Sequence, residues 1–407
     1  MHFLVHDFAG HPFQVQLSRQ LARRGHVVTH TFAAGLPGPK GQLTTVAGDP
    51  ACFNIRGIPL SPRFKKYSAY RRFFSHRKYA TSLKELIRQI RPDVVLSGNT
   101  PIDVQAELLW ECRKSQIGFI HWVQDIYSQA IRFYLKQRLP MLGTLISGLF
   151  EQVERRVALN SDHTIVIAPD FYDVLRGWQV PASRISVIEN WAALADMPLA
   201  SRENDWSRTH AFGSTPVLMY SGTLGMKHRP DLLYLLAKHL QQECVIVVIT
   251  DGIGKDYLER MPLLKNLRIL PFQPYDKMPE VLASADILLA TLETDAWQFA
   301  VPSKILTYLC AGRPILLAGP RENLSASVIE RSGGGLVVDP NNPDDFVDAA
   351  KSFIYDIDYR ICCGNKARLY AEKTFDPSRI TDAFENVLHM ARRTDATESA
   401  KAALVSA

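Results

Sequence analysis

The sequence predicts an α/β protein of two doubly wound, Rossmann-like halves, and three observations carry that reading. Its 407 residues are too many for one ordinary module, at roughly 150 residues per domain. Short apolar runs bounded by turn residues alternate with longer helical patterns, as parallel strands joined by crossover helices do. The halves also open alike: FLVHDFAG leads into the helical QVQLSRQLARRG, and VLMYSGTLG into PDLLYLLAKHL. Hydrophobic residues at 46% and charged residues at 22% exclude a disordered, collagenous or coiled-coil chain.

In the first half, apolar runs predict strands at Phe3 to His6, Val27 to Thr31, Val94 to Ser97, Phe119 to Val123, Thr164 to Ala168 and Ile185 to Ile188. In the second they predict Val217 to Tyr220, Val245 to Thr250, Leu267 to Leu270, Ile287 to Ala290, Ile315 to Ala318 and Gly335 to Val338. The aperiodic, polar stretch from Ala192 to Pro216 marks the junction. Domains are expected over residues 1–195 and 196–376. A last helix, 377–393, has Asp376 as cap and Pro377 at its first position, and is expected to pack back on the first domain. The small polar residues 394–407 read as a disordered tail.

Charge is uneven. The chain carries +6, but Arg63 to Arg91 holds ten basic residues against Glu85 alone, +9, so the remainder sums to −3. That pattern points to a locally anionic partner rather than to a molecule coated for nucleic acid, and no nucleic-acid-binding module is recognisable. Phe64, Tyr67, Tyr70, Phe73, Phe74 and Tyr79 interleave with the charges. Aromatics among basic residues suit anionic headgroups; the competing reading is a solvated helix face whose aromatics fill the core. Arg71, Arg72, Arg77 and Lys78 are the candidate membrane contacts. The apolar stretch Pro140 to Phe150 either rests on the same surface or packs inside, and it is too short to span a bilayer.

The six cysteines show no C-x-x-C pair and no histidine at metal-ligand spacing, which favours buried, reduced thiols. The amino terminus lacks the pattern of a signal peptide. The expectation is a cytoplasmic protein, peripheral on the inner face of the membrane.

Two motifs carry chemistry. In VPSKILTYLCAGRPILLAG, Val301 to Gly319, Pro302 stands where a helix begins, so free backbone N–H groups and Lys304 make an anion site suited to phosphate. In YSGTLGMKHRPD, Gly222 and Gly225 let the backbone approach a ligand, and Lys227 adds a point charge. The spacing leaves open whether Lys227 or Arg229 reaches the phosphate. Both motifs fall at carboxyl ends of predicted parallel strands, where ligands bind in open sheets. In FIHWVQDIYSQAI, His121 has an ordinary pKa in the useful range and Asp125 is the alternative base; a hydrogen-bonded core histidine is the competing reading. Asn99 in SGNTP ends a strand or simply forms a turn.

With IENWA, TDGIGKD and PFQPYDKMPEVLASADILLA, these motifs resemble glycosyltransferase family 4 from about His2 to Leu388, particularly bacterial members that build surface polysaccharide or lipopolysaccharide. The resemblance implies the GT-B fold, two Rossmann-like domains facing a central cleft. It implies transfer of a sugar from a nucleotide diphosphate-sugar, bound mainly by the second domain, to an acceptor bound mainly by the first. By that likeness Lys227 grips the diphosphate, and backbone N–H groups around Ser303 and Lys304 hold the same phosphates. Gly222 and Thr223 line the donor, Gly252 lets its loop pass close, and Phe272 and Gln273 cover the nucleobase. Gly10 in AGHP faces the donor sugar.

The family's paired glutamates, with seven residues between them, fall at Phe299 and Thr307 here; Thr307 replaces one hydrogen bond at most, and Glu293 is out of register. The acceptor expected is an oligosaccharide or a lipid-linked glycan at the anionic inner membrane surface. Transfer is expected to retain configuration with the leaving phosphate taking the proton, so His121 serves for positioning and Asp125 for acceptor contact. No cofactor and no metal are expected, since no Asp-x-Asp pair stands at a strand end. The rival functions are a nucleotide-sugar epimerase of the same fold and a non-catalytic nucleotide-sugar-binding scaffold; fold alone does not choose.

Overall fold

The computed structural model describes residues 1–36, 40–60, 69–138, 140–225, 228–294 and 303–393. The chain divides into one unit of Met1–Glu189 with Pro377–Ala407 and a second of Asn190–Asp376.

The first unit is a seven-stranded, wholly parallel sheet. Its strands are β1 (His2–Asp7), β2 (Val27–Ala34), β3 (Phe53–Pro59), β4 (Val94–Gly98), β5 (Gly118–Val123), β6 (His163–Val166) and β7 (Ile185–Val187), in the order β3-β2-β1-β4-β5-β6-β7. Consecutive apolar residues such as Phe3, Leu4 and Val5 are all buried, as they must be when helices cover both faces of a parallel sheet. The second unit repeats the plan with β8 (Val217–Ser221), β9 (Val245–Ile249), β10 (Leu267–Leu270), β11 (Ile287–Thr291), β12 (Ile315–Ala318) and β13 (Gly335–Val338), ordered β10-β9-β8-β11-β12-β13. Each sheet reverses its strand order once, between β1 and β4 and between β8 and β11. Those two places are the topological switch points of a doubly wound fold.

The twelve strands expected from sequence all form, and β3 is the addition. It sits at the edge, with Phe53 and Ile58 buried and most of the strand open to solvent, and it contains Gly57 and Pro59. Edge strands tolerate both residues, and their presence broke the apolar run that signals a strand.

The last helix, Pro377–Ala391, belongs to the first unit. Phe384 is fully buried with its ring 4.6 Å from that of Trp122. A Cβ at Gly118 would lie 2.2 Å from the Ala391 carbonyl oxygen, so only glycine lets the helix end settle on the start of β5. Residues 394–407, read as a tail, lie outside the described residues. All six cysteines are free, and Cys112, Cys244, Cys310 and Cys363 are buried. Among the described residues no helix is long and apolar enough to cross a membrane; Pro140–Asn160 forms a single helix that leaves Leu145 and Leu149 exposed.

Candidate functional site

In the second unit the switch point lies beyond β8 and β11, and β8 runs directly into the Gly222 turn. Gly222 has φ +139°, and a Cβ there would come within 3.1 Å of Lys304 Cε and 3.3 Å of Nζ. A side chain would be strained and would displace the lysine. Lys304 stands on the helix Ser303–Ala311. Its Nζ lies 3.6 Å from the centroid of the Tyr220 ring and donates to the Tyr220 hydroxyl. That hydroxyl donates in turn to the Thr223 carbonyl at 3.0 Å. Burial, with Tyr308 close by, pushes the Tyr220 phenol well above its ordinary value, so the hydroxyl that Lys304 meets is neutral.

Four residues along the same face, the Tyr308 hydroxyl accepts the Ser221 N–H at 2.8 Å and donates to the Ser221 carbonyl at 3.1 Å. Lys304 and Tyr308 thus fasten the helix to the end of β8. At its other end Arg368 donates to the Cys310 carbonyl at 2.6 Å. The turn itself is stitched to β9. Gly222 N–H donates to the Ile249 carbonyl at 2.9 Å, Leu224 N–H to Thr250 Oγ1 at 3.1 Å, and the Thr250 hydroxyl to the Gly222 carbonyl at 2.7 Å.

The structure brings Gly222, Thr223, Gly252, Ser303 and Lys304 together, with Thr307 one turn along from Ser303. The Gly252 loop lies against the Leu224 carbonyl. Thr223 and Thr307 are half-buried and Ser303 is exposed. Phe272 and Gln273 follow β10, beside β9. The Gln273 amide accepts from Trp206 Nε1 at 3.0 Å and donates to the Pro271 carbonyl at 2.9 Å, so that side chain braces the helix Asp205–Thr209. Lys227, Pro302 and Phe299 lie outside the described residues. Arg229, left open as the alternative to Lys227, forks onto Asp231 at 2.6 and 2.9 Å and reaches the Pro340 carbonyl at 3.2 Å; its guanidinium is engaged locally.

In the first unit the switch point lies beyond β1 and β4. Asp7, at the end of β1, is fully buried. It accepts the backbone N–H groups of Ala9, at 3.1 Å, and His11, a turn that Gly10 completes at φ +79°. His11 Nδ1 lies 3.5 Å from Asp7 Oδ1 and 3.2 Å from Asn99 Nδ2, and the His11 side chain is 30% exposed. Burial works against a charged imidazole. The charge and hydrogen bond of Asp7, with the charge of Asp125, outweigh it and hold the His11 pKa above its ordinary 6.5. Asn99, with φ +50°, also donates weakly to Asp7 at 3.4 Å. His11 is the residue that sequence reading missed. The available signal was Asp7 four positions earlier, across a glycine turn at a strand end.

One expectation is corrected. His121 is 7% exposed in β5 and its Nδ1 has no hydrogen-bond partner. Burial pushes its pKa down to about 4, so it stays neutral at physiological pH and does not stand in the useful range. The register aligns it in a row across the sheet, Thr31–His6–Ser97–His121–Thr164, on the face that also buries Leu4, Val95 and Phe119. Asp125, two residues past β5, is half-buried and bears electrostatically on His11.

The basic segment lies on the helix Ala69–Ile90. Residues 61–68 and the side chains of Arg71 and Arg72 lie outside the described residues. Tyr79 is in the core and Phe74 is 54% exposed, so the aromatics divide between the two readings. Lys84 pairs with Glu107, and Arg88 with Glu111 at 2.5 Å, which neutralises part of the +9. Arg77 and Lys78 are exposed.

Two family descriptions match the chain in tandem: Glycosyltransferase Family 4 over residues 14–195, and Glycosyl transferases group 1 over residues 202–370. A relative from Escherichia coli, assigned to colanic acid biosynthesis as glycosyl transferase WcaI, is 24% identical over 60% of this chain and 61% of its own length. The D-inositol 3-phosphate glycosyltransferase of Corynebacterium jeikeium is 26% identical over 54% of this chain and 55% of its own. The chain thus spans less than two thirds of the length of these relatives. Among solved structures, Anabaena HepE in complex with UDP and glucose superposes with a TM-score of 0.68 at 12% identity, over 95% of this chain and 99% of that one, which is a likeness of fold.

Proposed function

This chain belongs to glycosyltransferase family 4 of the GT-B fold, and on that premise we propose that it moves a sugar from a nucleotide diphosphate-sugar to a glycan acceptor during surface polysaccharide synthesis. The observation that carries the reading is the second switch point, where a glycine-only turn leaves room for Lys304 at the start of a helix. Helix starts and lysines bind phosphates, and stabilising the departing diphosphate is the main electrostatic task of such chemistry. Gly222, Thr223, Gly252 and the backbone around Ser303 line the donor, Phe272 covers its base, and Lys227 grips the same phosphates. HepE, of the same fold, binds UDP and glucose, which favours a nucleotide-sugar donor here.

On this reading transfer retains configuration and needs no metal, the two lysines supplying the cations and the leaving phosphate taking the acceptor proton. His11, held by the buried Asp7 behind it, and Asp125 meet the acceptor hydroxyls. A thermal-shift screen against UDP, GDP, dTDP and CMP and their sugar conjugates tests this. One diphosphate is expected to raise the melting temperature, and Lys227→Ala to erase the rise. No shift with any of them would overturn the nucleotide-sugar reading, whereas a shift without turnover would bring the scaffold reading forward.

The acceptor in this proposal is lipid-linked and presented at the anionic inner face of the membrane. Exposed Arg77 and Lys78 beside Phe74 support it. Each basic residue at such a surface contributes about 1 kcal/mol. Replacing Arg71, Arg72, Arg77 and Lys78 by Ser is therefore expected to weaken sedimentation with phosphatidylserine vesicles on the order of a hundred-fold or more. Sedimentation equal to the wild type would remove the membrane from the proposal.

A further inference from the structure

Among the described residues, one group of three side chains has metal-ligating atoms within 4.8 Å of one another: His26, Glu385 and His389. His26 lies in the turn before β2, and Glu385 and His389 lie on the helix Pro377–Ala391, four residues apart and so on one face. The pieces are more than 350 positions apart in sequence, which is why no ligand spacing was visible there.

The cluster is ordered by its surroundings. The His26 ring packs at 4.8 Å from that of Phe3, and its side chain is 12% exposed. His26 Nε2 stands 2.7 Å from Glu385 Oε1, and His389 Nε2 stands 3.9 Å from the same oxygen. The other carboxylate oxygen, Oε2, accepts from Arg24 Nη1 at 2.5 Å. Arg24 also pairs with Asp382 at 2.6 Å and donates to the Ser378 carbonyl at 2.9 Å. One arginine therefore holds three residues along the helix and fixes which oxygen Glu385 turns towards the histidines.

We infer that His26, Glu385 and His389 form a binding site for a borderline divalent cation, zinc before others. Two imidazoles and one carboxylate are a zinc donor set, with bonds of about 2.0–2.2 Å and a fourth position for water. Tetrahedral bonds of that length place ligand atoms about 3.4 Å apart, between the two separations seen here. His389, 52% exposed, is the ligand free to swing inward. The Arg24 contact on Oε2 is the outer hydrogen bond that ligating carboxylates commonly have.

The site's place in the fold says what it does. His26 precedes β2, whose first residue pairs with His2, so the cluster lies at the amino ends of the strands. Asp7 and His11 lie at the carboxyl ends, about 20 Å away at 3.3 Å per residue. A cation here takes no part in sugar transfer; it ties the last helix to the first two strands.

The test is zinc titration of the full chain after chelator treatment and desalting, by calorimetry and by thermal shift. One equivalent of zinc is expected to bind and to raise the melting temperature. His26→Gln and His389→Gln are each expected to weaken binding at least tenfold. Because His389 is on the surface, H389Q leaves the fold intact, and an unchanged circular dichroism spectrum verifies that. Cobalt titration gives a second readout: the visible band of tetrahedral cobalt should appear in the wild type and be lost in H389Q. No zinc binding, or binding of equal strength in both histidine variants, overturns the inference.

Discussion

Replacing Lys304 by Met lowers sugar transfer by about two to three orders of magnitude while the protein melts within a few degrees of the wild type. The magnitude is that of removing one preorganised group from a developing charge in a water-poor site. Methionine keeps the apolar stem that packs over Tyr220 and loses only the cation. On the proposed reading, in which the lysine serves the departing diphosphate, the loss belongs in kcat more than in KM. Gly222→Ala is expected to follow it by another route, since the new Cβ meets Lys304 Cε at 3.1 Å and the φ of +139° strains any side chain. Tyr220→Phe removes the hydroxyl that accepts from Lys304 and donates to Thr223, and a tenfold loss or less is expected. Steady-state kinetics of the three variants with the donor found by thermal shift make the check. A Lys304→Met enzyme with wild-type kcat removes this lysine from the phosphate site.

Acid is expected to unfold the first unit early. His6, His30 and His121 are almost fully buried. Burial pushes their pKa values to about 3, 4 and 4, from an ordinary 6.5. A histidine whose folded pKa is depressed binds its proton more readily unfolded. Its contribution to stability is complete above pH 6.5 and is lost as pH falls towards its folded value. At pH 5 each forfeits roughly 2 kcal/mol, and three such losses rival the whole stability of a domain. His11 works the other way: its pKa is raised, so its contribution is present below 6.5 and lost as pH climbs through the folded value. One raised histidine does not offset three lowered ones. Circular dichroism and tryptophan emission should show a cooperative transition between pH 6 and 4.5, moved to lower pH in His121→Gln. A flat profile down to pH 4.5 would contradict the account.

The fold was legible because its carriers are local. Each parallel strand, buried on both faces, leaves a short apolar run that periodicity can find, and the two glycine turns that open the units announce themselves. β3 escaped because an edge strand needs neither continuous burial nor freedom from Gly57 and Pro59. Parts of the site were legible for the same local reason: Gly222 and Lys304 are in short motifs at strand ends. What was not legible depends on distant partners. Gln273 offers its amide to a possible ligand in sequence, and in the structure that amide braces Trp206, 67 positions away. His121 looks like a titrating group until the helices that bury it are in place. His11 is unremarkable in sequence until Asp7 is seen to be closed from solvent with the imidazole as its outward-facing partner.

The return of the helix Pro377–Ala391 to the first unit gives the molecule an order of assembly. The second unit is continuous in sequence, so it holds all its parts once Asp376 has been made. The first unit is begun earlier and completed later, because the side chain that covers Trp122 is Phe384 and the residue that closes the start of β5 is Ala391. At synthesis rates of about 5–20 residues per second, its sheet waits on the order of ten seconds or more with that apolar face open. A nascent chain in that interval exposes a surface that chaperones bind, and a chain ending before residue 377 exposes it permanently. The helix Pro377–Ala391 is thus the step that completes the first unit, and its loss falls on the unit that was started first.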